Sequence, residues 1–210
     1  MNLCWTVFNL SMDSSGFILA GGRSSRMGTD KSLLRFGDLT LIELALSRMR
    51  SVTDHVSIVS PRADLVQYAP VVHDVYPDRG PLGGIHAALA SSPHEWNLIL
   101  AVDMPLMPTE LLKKLLSVAN ESQAVVTVPQ TSDGLQPLCA VYRKEFAMFA
   151  EKALRGDDYK IDHLFEQVET RLVSEAEIEK WGYTSQVFMN LNTPDDLRDA
   201  VSAVSKKGQA

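Results

Sequence analysis

A loop rich in glycine and cationic residues near the start of the chain is the first segment suited to chemistry. It follows a short apolar run, residues 17–20, and reads Gly-Gly-Arg-Ser-Ser-Arg-Met-Gly-Thr-Asp-Lys over residues 21–31. Two adjacent glycines let backbone N–H groups approach an anion closely. Arg23, Arg26 and Lys31 add three cations within nine residues. This composition favours phosphate binding, and a flexible, solvated surface loop is the alternative.

Asp103 is the second candidate for a chemical role. It follows residues 96–102, the most apolar segment of the chain, which predicts a buried strand. Ligands of open parallel sheets bind beyond the carboxyl ends of the strands. A carboxylate at that edge can hold Mg²⁺ between nucleotide phosphates, with water completing the octahedron. The structural alternative is an aspartate that caps the loop before Pro105.

The glycine loop departs from two common phosphate-binding motifs. A Walker A loop has glycine directly before its Lys-Ser pair, where this chain has Asp30. The spacing of Gly21, Gly22 and Gly28 does not fit G-x-G-x-x-G. Residues 19–31 instead resemble, almost residue by residue, the signature L-A-[GA]-G-x-S-x-R-M-G-x-x-K of nucleotidyltransferases with a Rossmann-like fold. The G-T-R-L and Pro-Lys elements of sugar-phosphate nucleotidyltransferases are missing, and the loop most resembles the molybdenum cofactor guanylyltransferase family.

Three later segments resemble motifs of the same family and follow its order. They are G-P-L-G-G-I at 80–85, D-M-P at 103–105 and N-L-N-T-P-D-D-L at 190–197. The resemblance covers about residues 16–200. It implies transfer of GMP from GTP to molybdopterin bearing molybdenum, with release of pyrophosphate and with Mg²⁺ as cofactor.

The resemblance also implies roles for individual residues. Those expected to act in catalysis are Lys31, Arg26 and Asp103, with Asp103 as the metal ligand. Those expected to contact the nucleotide are Leu19, Ala20, Gly21, Gly22, Lys31, Asp74, Gly80, Gly83 and Asp103. Those expected on the acceptor side are Asn190 and Asn192, which would share one face of an extended strand.

Several of these positions have structural alternatives. Asp74 also suits a plain turn, the glycines of 80–84 suit close helix–sheet packing, and Asn192 or Thr193 suits the cap of a last helix. The chain departs from the family after its second strand, where an asparagine-containing turn is common. Ser60-Pro61-Arg62 stands there instead, so a base or ribose contact from this turn is not expected from the family pattern.

Strand-length apolar runs alternate with segments of helical period along the whole chain. The predicted strands are 17–20, 56–59, 71–73, 96–102, 124–128, 137–142 and 187–189. The predicted helices are 39–49, 82–90, 108–116, 144–154, 161–168 and a last helix opened by Thr193-Pro194. This alternation predicts a three-layer α/β/α domain with a mostly parallel sheet, and the resemblance implies a Rossmann-like nucleotidyltransferase fold. We expect one domain over residues 16–204, a disordered extension at 1–15 and a tail at 205–210.

Composition narrows the function classes. The net charge is −6 and no basic block exceeds Lys206-Lys207, which argues against a nucleic-acid surface. The two cysteines lie far apart and the five histidines lack metal-ligand spacing, so a structural zinc site is not expected. The sparse use of cysteine fits a reducing compartment, and we expect a cytoplasmic location. No apolar stretch approaches 18 residues, so no membrane span is expected. The family resemblance, and not composition, implies GTP and molybdopterin as partners, with molybdenum-insertion proteins and molybdoenzyme chaperones as further ones.

Other functions remain open at this level. Transfer of CMP to the same acceptor, or another small-molecule nucleotidyl transfer, is the closest alternative. Cytidylyltransferases of this kind more often carry Leu-Ala-Ala-Gly, and Gly21 argues against them. A non-catalytic nucleotide-sensing module is the alternative from a different class, against which Lys31 and Asp103 argue.

Overall fold

The computed structural model describes residues 13–21, 31–193, 195, 196, 198 and 200. Ten strands lie within these residues: β1 Ser14–Leu19, β2 Arg35–Phe36, β3 Leu39–Thr40, β4 His55–Val59, β5 Val71–Val72, β6 Trp96–Ala101, β7 Val126–Thr131, β8 Gly134–Leu135, β9 Cys139–Arg143 and β10 Thr170–Ser174. The α-helices there are α1 Leu41–Arg50, α2 Gly80–Ser91, α3 Thr109–Ser122, α4 Phe146–Arg155, α5 Ile161–Phe165 and α6 Glu175–Lys180. Short 3₁₀ turns cover Lys31–Leu33, Ala63–Gln67 and Ser185–Phe188.

Eight of the strands form one sheet in the order β10-β7-β9-β6-β1-β4-β5, with β8 paired to β7. The pairs β1–β4, β1–β6, β4–β5 and β7–β10 are parallel. Strand β9 runs antiparallel to both β6 and β7, and β8 runs antiparallel to β7. The mostly parallel α/β fold predicted from the sequence is confirmed. The carboxyl ends of β1, β4, β5 and β6 therefore meet along one edge of the sheet.

The two faces of the sheet carry separate apolar cores. Successive side chains of a strand point to opposite faces, so Ile18 packs on one side of β1 and Phe17 on the other. Helices α1 and α3 cover the first face, while α2, α4 and α5 cover the second. This is the predicted three-layer arrangement. No helix in the described part of the chain is long and apolar enough to cross a membrane.

The element boundaries differ from the prediction in the last third of the chain. Residues 187–189 were expected to form a strand, but Val187 and Phe188 belong to the 3₁₀ turn Ser185–Phe188, where both are buried. Strand β10 and helix α6 were not predicted. Strand β10 has no continuous apolar run that would predict it, and Val173 is its one fully buried side chain.

The amino-terminal boundary of the fold lies slightly earlier than the expected domain boundary. Strand β1 begins at Ser14 and pairs with both β4 and β6 from its first two residues. Residues 1–12, the greater part of the expected extension, and the expected tail at 205–210 lie outside the described residues.

Candidate active site

Hydrogen bonds from both neighbouring strands fix the backbone that leaves β1. The N–H of Ala20 donates to the Val59 carbonyl at 2.9 Å, and the N–H of Val102 donates to the Leu19 carbonyl at 3.1 Å. Leu19, Ala20 and Gly21 therefore lie between the carboxyl ends of β4 and β6. Gly21 is exposed at this edge, where its backbone is open to a ligand. Gly22 and Arg26, predicted for the same loop, lie outside the described residues.

Ser60 fixes the same backbone from the turn after β4. Its hydroxyl donates to the Ala20 carbonyl at 2.9 Å and accepts from the N–H of Arg62 at 3.2 Å. Its own N–H donates to the Val72 carbonyl, and its carbonyl lies 2.9 Å from Nδ1 of His73. This is the turn where the sequence departs from the family pattern. The hydroxyl of Ser60 thus fixes the backbone at Ala20, directly before the glycine loop.

Lys31, Asp103 and Asn192 meet at one point beyond the ends of β1 and β6, and we call these three residues the Lys31 cluster. The ammonium Nζ of Lys31 lies 3.2 Å from Oδ2 of Asp103 and 2.8 Å from Oδ1 of Asn192. The side chains of Lys31 and Asp103 are each 20% exposed, so ligands can reach them. Residues predicted for catalysis and for the acceptor side thus contact one another directly.

A cap at the start of the last helix holds Asn192 in place. The Asp196 carboxylate accepts the N–H groups of Asn192 and Thr193 at 2.7 and 2.8 Å, and Thr193 Oγ1 accepts the N–H of Asp196 at 3.2 Å. The buried Leu191 donates its N–H to the Asp103 carbonyl at 2.9 Å. The Thr193 cap predicted from the sequence is confirmed. Because Thr193 and Asp196 form the cap, the Asn192 side chain is left to bind Lys31.

The spacing argument for Asn190 and Asn192 was wrong in one respect. Residues 190–192 are not part of a strand, so a spacing of two does not put both side chains on one strand face. Asn190 is half-buried in the segment that leads to the cap. Of the two asparagines, Asn192 is the one that belongs to the Lys31 cluster.

The start of α2 packs tightly against the segment that follows β5. Gly80 begins the helix with a φ of +63°, a left-handed conformation that glycine adopts without strain. A Cβ atom at Gly83 would lie 2.9 Å from the Tyr76 carbonyl oxygen and 3.9 Å from Oδ2 of Asp74. Gly83 is therefore needed for close packing, as the structural alternative held. The same packing half-buries Asp74, and burial raises the pKa of its carboxyl group.

Replacing Gly83 with alanine is expected to destabilise the fold by roughly 1–3 kcal/mol, because backbone must move to admit the methyl group. Gly84→Ala is the matched control. Its Cβ would lie 3.5 Å from Leu19 Cδ2, an ordinary contact, and alanine raises helix propensity by up to about 1 kcal/mol. Urea denaturation of the two variants measures the difference. Equal midpoints would show that close packing at Gly83 contributes nothing to stability.

A network of charged side chains joins the segment after β5 to the end of α4. The Tyr76 hydroxyl donates to Glu151 at 3.1 Å and accepts from Arg155 at 3.2 Å, while Arg155 pairs with Glu151 at 2.7 Å. Arg79 pairs with Asp157 at 2.6 Å. Sequence reasoning gave Tyr76, Arg79 and Glu151 no role, and it favoured a solvated loop over an acceptor contact for the segment 155–162. Only a contact between elements far apart in the chain identifies them as supports of the segment that carries Asp74.

Few of the described side chains at the site can bind a metal ion. Among the described residues no group of three or more histidine, cysteine, aspartate or glutamate side chains is placed to hold a metal ion. Asp103 is a single reachable carboxylate beside a loop suited to phosphates. Mg²⁺ commonly takes one or two carboxylates together with phosphate oxygens and water, unlike zinc, which takes three or four protein ligands. The donor set therefore fits a magnesium ion that is bound largely by a nucleotide.

This fold and this site define a nucleotidyltransferase: a parallel α/β sheet with a glycine loop, a lysine and an aspartate at its carboxyl edge. The family described as the MobA-like NTP transferase domain matches residues 16–171. The chain belongs to that family.

Similar proteins agree with this assignment over nearly the full chain. A probable molybdenum cofactor guanylyltransferase of Peptoclostridium acidaminophilum is 31% identical, over 93% of this chain and 92% of the relative. Another, of Flavobacterium johnsoniae, is 35% identical over 87% of this chain and 94% of the relative. The crystal structure of molybdopterin-guanine dinucleotide biosynthesis protein A from Archaeoglobus fulgidus is 26% identical, with a TM-score of 0.80, over 91% of this chain and 99% of that one.

Proposed function

We propose that this protein transfers GMP from GTP to molybdopterin bearing molybdenum and releases pyrophosphate. The observation that carries the proposal is the Lys31 cluster, in which a lysine suited to a nucleotide contacts both an aspartate and an asparagine assigned to the acceptor side. The family and the names of the relatives supply the substrates. The two substrates would meet at this cluster.

The nucleotide would lie along the carboxyl edge of β1, β4 and β5. The backbone N–H groups of Gly21 and Gly22 would bind phosphate oxygens, and Lys31 with Arg26 would bind the pyrophosphate end. Leu19, Ala20 and Asp74 would contact the nucleoside, as would the start of α2 at Gly80 and Gly83. A helix N-terminus with exposed N–H groups favours negatively charged or polar ligand groups. The hydrogen bonds of Ala20 to Val59 and Ser60 support this placement, because they fix the backbone that leads into the loop.

Asp103 would hold Mg²⁺, with nucleotide phosphates and water as the other ligands. The ion, when bound, offsets negative charge at the α-phosphorus and on the departing pyrophosphate. The carboxylate of Asp103 would fix the position of the nucleotide relative to β6. Lys31 would offset the charge that develops on the β-phosphate oxygens.

The acceptor would approach from the side of Asn190 and Asn192. An oxygen of its terminal phosphate would attack the α-phosphorus in line, forming a new P–O bond while the α–β P–O bond breaks. The attacking oxygen is already anionic, so the step needs no general base. Catalysis by this chain would be mainly positioning and electrostatic stabilisation.

GTP is expected to bind at least about tenfold more tightly than CTP, ATP or UTP, because a wrong base leaves buried polar groups without partners. Calorimetric titration with each Mg²⁺-nucleotide measures this preference. Pyrophosphate release with molybdenum-loaded molybdopterin then shows which nucleotide is used. A preference for CTP would replace GMP transfer by CMP transfer, and tight GTP binding without pyrophosphate release would indicate a nucleotide sensor.

The proposed function also includes a cellular location and protein partners. Reaction with molybdopterin suits a cytoplasmic protein that works beside molybdenum-insertion proteins and molybdoenzyme chaperones. The acidic net charge and the sparse cysteines support this setting. Co-purification of the tagged protein with such partners from cells tests it.

A further inference from the structure

One oxygen of Asp103 is in direct contact with a cation that belongs to the protein itself. The ammonium of Lys31 lies 3.2 Å from Oδ2 of Asp103, a salt bridge between two side chains that are each four-fifths buried. A divalent cation bound to Asp103 needs the same carboxylate. The two positive charges would repel one another, and partial burial weakens the screening by water.

Asn192 keeps the ammonium in that position. Its Oδ1 accepts from Lys31 Nζ at 2.8 Å, so the lysine has a partner on each side. The asparagine is fixed through its backbone N–H, bound by Asp196. The preceding residue, Leu191, is bound in turn to the Asp103 carbonyl. The lysine side chain is thereby held in one conformation against the carboxylate and does not sample many rotamers in solvent.

We propose that Lys31 competes with divalent cations for Asp103, so that a metal ion binds stably at this site only when a nucleoside triphosphate binds the lysine and removes it from Asp103. This inference rests on the proposed function, in which Asp103 is the metal ligand and Lys31 binds the phosphates. The triphosphate carries several negative charges and is the stronger partner for the ammonium. Transfer of Lys31 from Asp103 to phosphate exposes the carboxylate to the metal that the nucleotide brings.

The competition couples nucleotide and metal binding. A ligand that removes Lys31 from Asp103 raises the affinity of the site for the cation, and by linkage the cation raises the affinity for that ligand. In the absence of nucleotide the site is then protected from free divalent cations. Lys31 thus binds Asp103 before the nucleotide arrives and the phosphates afterwards. Asn192 fixes the position of the lysine in the nucleotide-free state.

Binding of Mn²⁺ alone, measured by the electron paramagnetic resonance signal of free Mn²⁺ at low ionic strength, tests the proposal without nucleotide. Lys31→Met is expected to bind Mn²⁺ at least about fivefold more tightly than the wild-type protein, the effect of losing one well-placed ion-pair partner. Lys113→Met is the matched control. It removes an equal charge from an exposed pair with Glu110 on α3, and it is expected to leave Mn²⁺ affinity unchanged.

A double variant locates the gain. Lys31→Met combined with Asp103→Asn is expected to lose the added affinity, because the carboxylate that Lys31 occupied is gone. The proposal is overturned if Lys31→Met binds Mn²⁺ no more tightly than the wild-type protein, if Lys113→Met gains as much, or if the gain survives Asp103→Asn.

The proposed function is read from a separate assay. Pyrophosphate release from GTP and loaded molybdopterin by the wild-type protein reports on it, with no reference to Mn²⁺ affinity in the absence of nucleotide. Wild-type transfer without any Mn²⁺ gain in Lys31→Met overturns the competition alone. The expected Mn²⁺ pattern without transfer supports the competition and overturns the proposed reaction.

Discussion

Asp103→Asn is expected to lower the rate of GMP transfer by roughly 10³-fold, because a neutral amide binds Mg²⁺ poorly and the charge on the departing pyrophosphate is then less well offset. The fold should persist. The amide oxygen can still accept from Lys31, and a partly exposed ion pair contributes about 1 kcal/mol or less. Single-turnover pyrophosphate release at saturating GTP and Mg²⁺ measures the rate, and thermal denaturation measures the stability.

Asp54→Asn provides the matched control for this substitution. Asp54 is exposed and directly precedes β4, at the edge of the sheet opposite the site. Its replacement removes the same charge and should leave transfer unchanged. Near-normal turnover in Asp103→Asn would show that Asp103 does not hold the metal.

Lys31→Ala is expected to slow the chemical step by roughly 10²–10³-fold while raising the Kd of GTP much less. Negative charge grows on the β-phosphate oxygens as the α–β bond breaks, so a contact there strengthens in the transition state and its loss appears mainly in kcat. Single-turnover rates at saturating GTP, compared with calorimetric Kd values, separate the two effects.

Lys31→Arg should recover part of the lost rate. It keeps the charge, but its planar fork does not match single contacts at 3.2 and 2.8 Å to Asp103 and Asn192. Lys113→Ala, on the exposed face of α3, should behave as wild type. A Lys31→Ala protein with the wild-type single-turnover rate and only a raised Kd would assign this lysine to ground-state binding.

Much of the scaffold could be predicted because its central strands, β1 and β6, are buried on both faces. Continuous apolar runs such as residues 98–102 are typical of central parallel strands, and β6 is buried along its whole length. The ends of such strands mark the ligand edge, so Asp103 and the glycine loop could be placed there from the sequence alone. The family motifs supplied the roles, which local patterns do not contain.

The parts that sequence reasoning missed depend on contacts between distant segments. The sequence around Ser60 does not indicate that its hydroxyl binds the Ala20 carbonyl, since neither the residue types nor their immediate neighbours predict this contact. The network from Tyr76 to Arg155 is of the same kind. Residues 187–189 were wrongly predicted as a strand because Val-Phe-Met is apolar enough for one, whereas burial against the core also suits the short 3₁₀ turn Ser185–Phe188.

The separation of Lys31 and Asn192 along the chain has a consequence for biosynthesis. The two residues that touch in the site are 161 positions apart, and a ribosome adding 5–20 residues per second needs roughly 8–32 s to travel between them. In the later part of that interval, once Asp103 has been added, the nascent chain carries Lys31 and Asp103, while the partner that orients the lysine has not been made. The Lys31 cluster can therefore assemble only after Asn192 has been added to the chain.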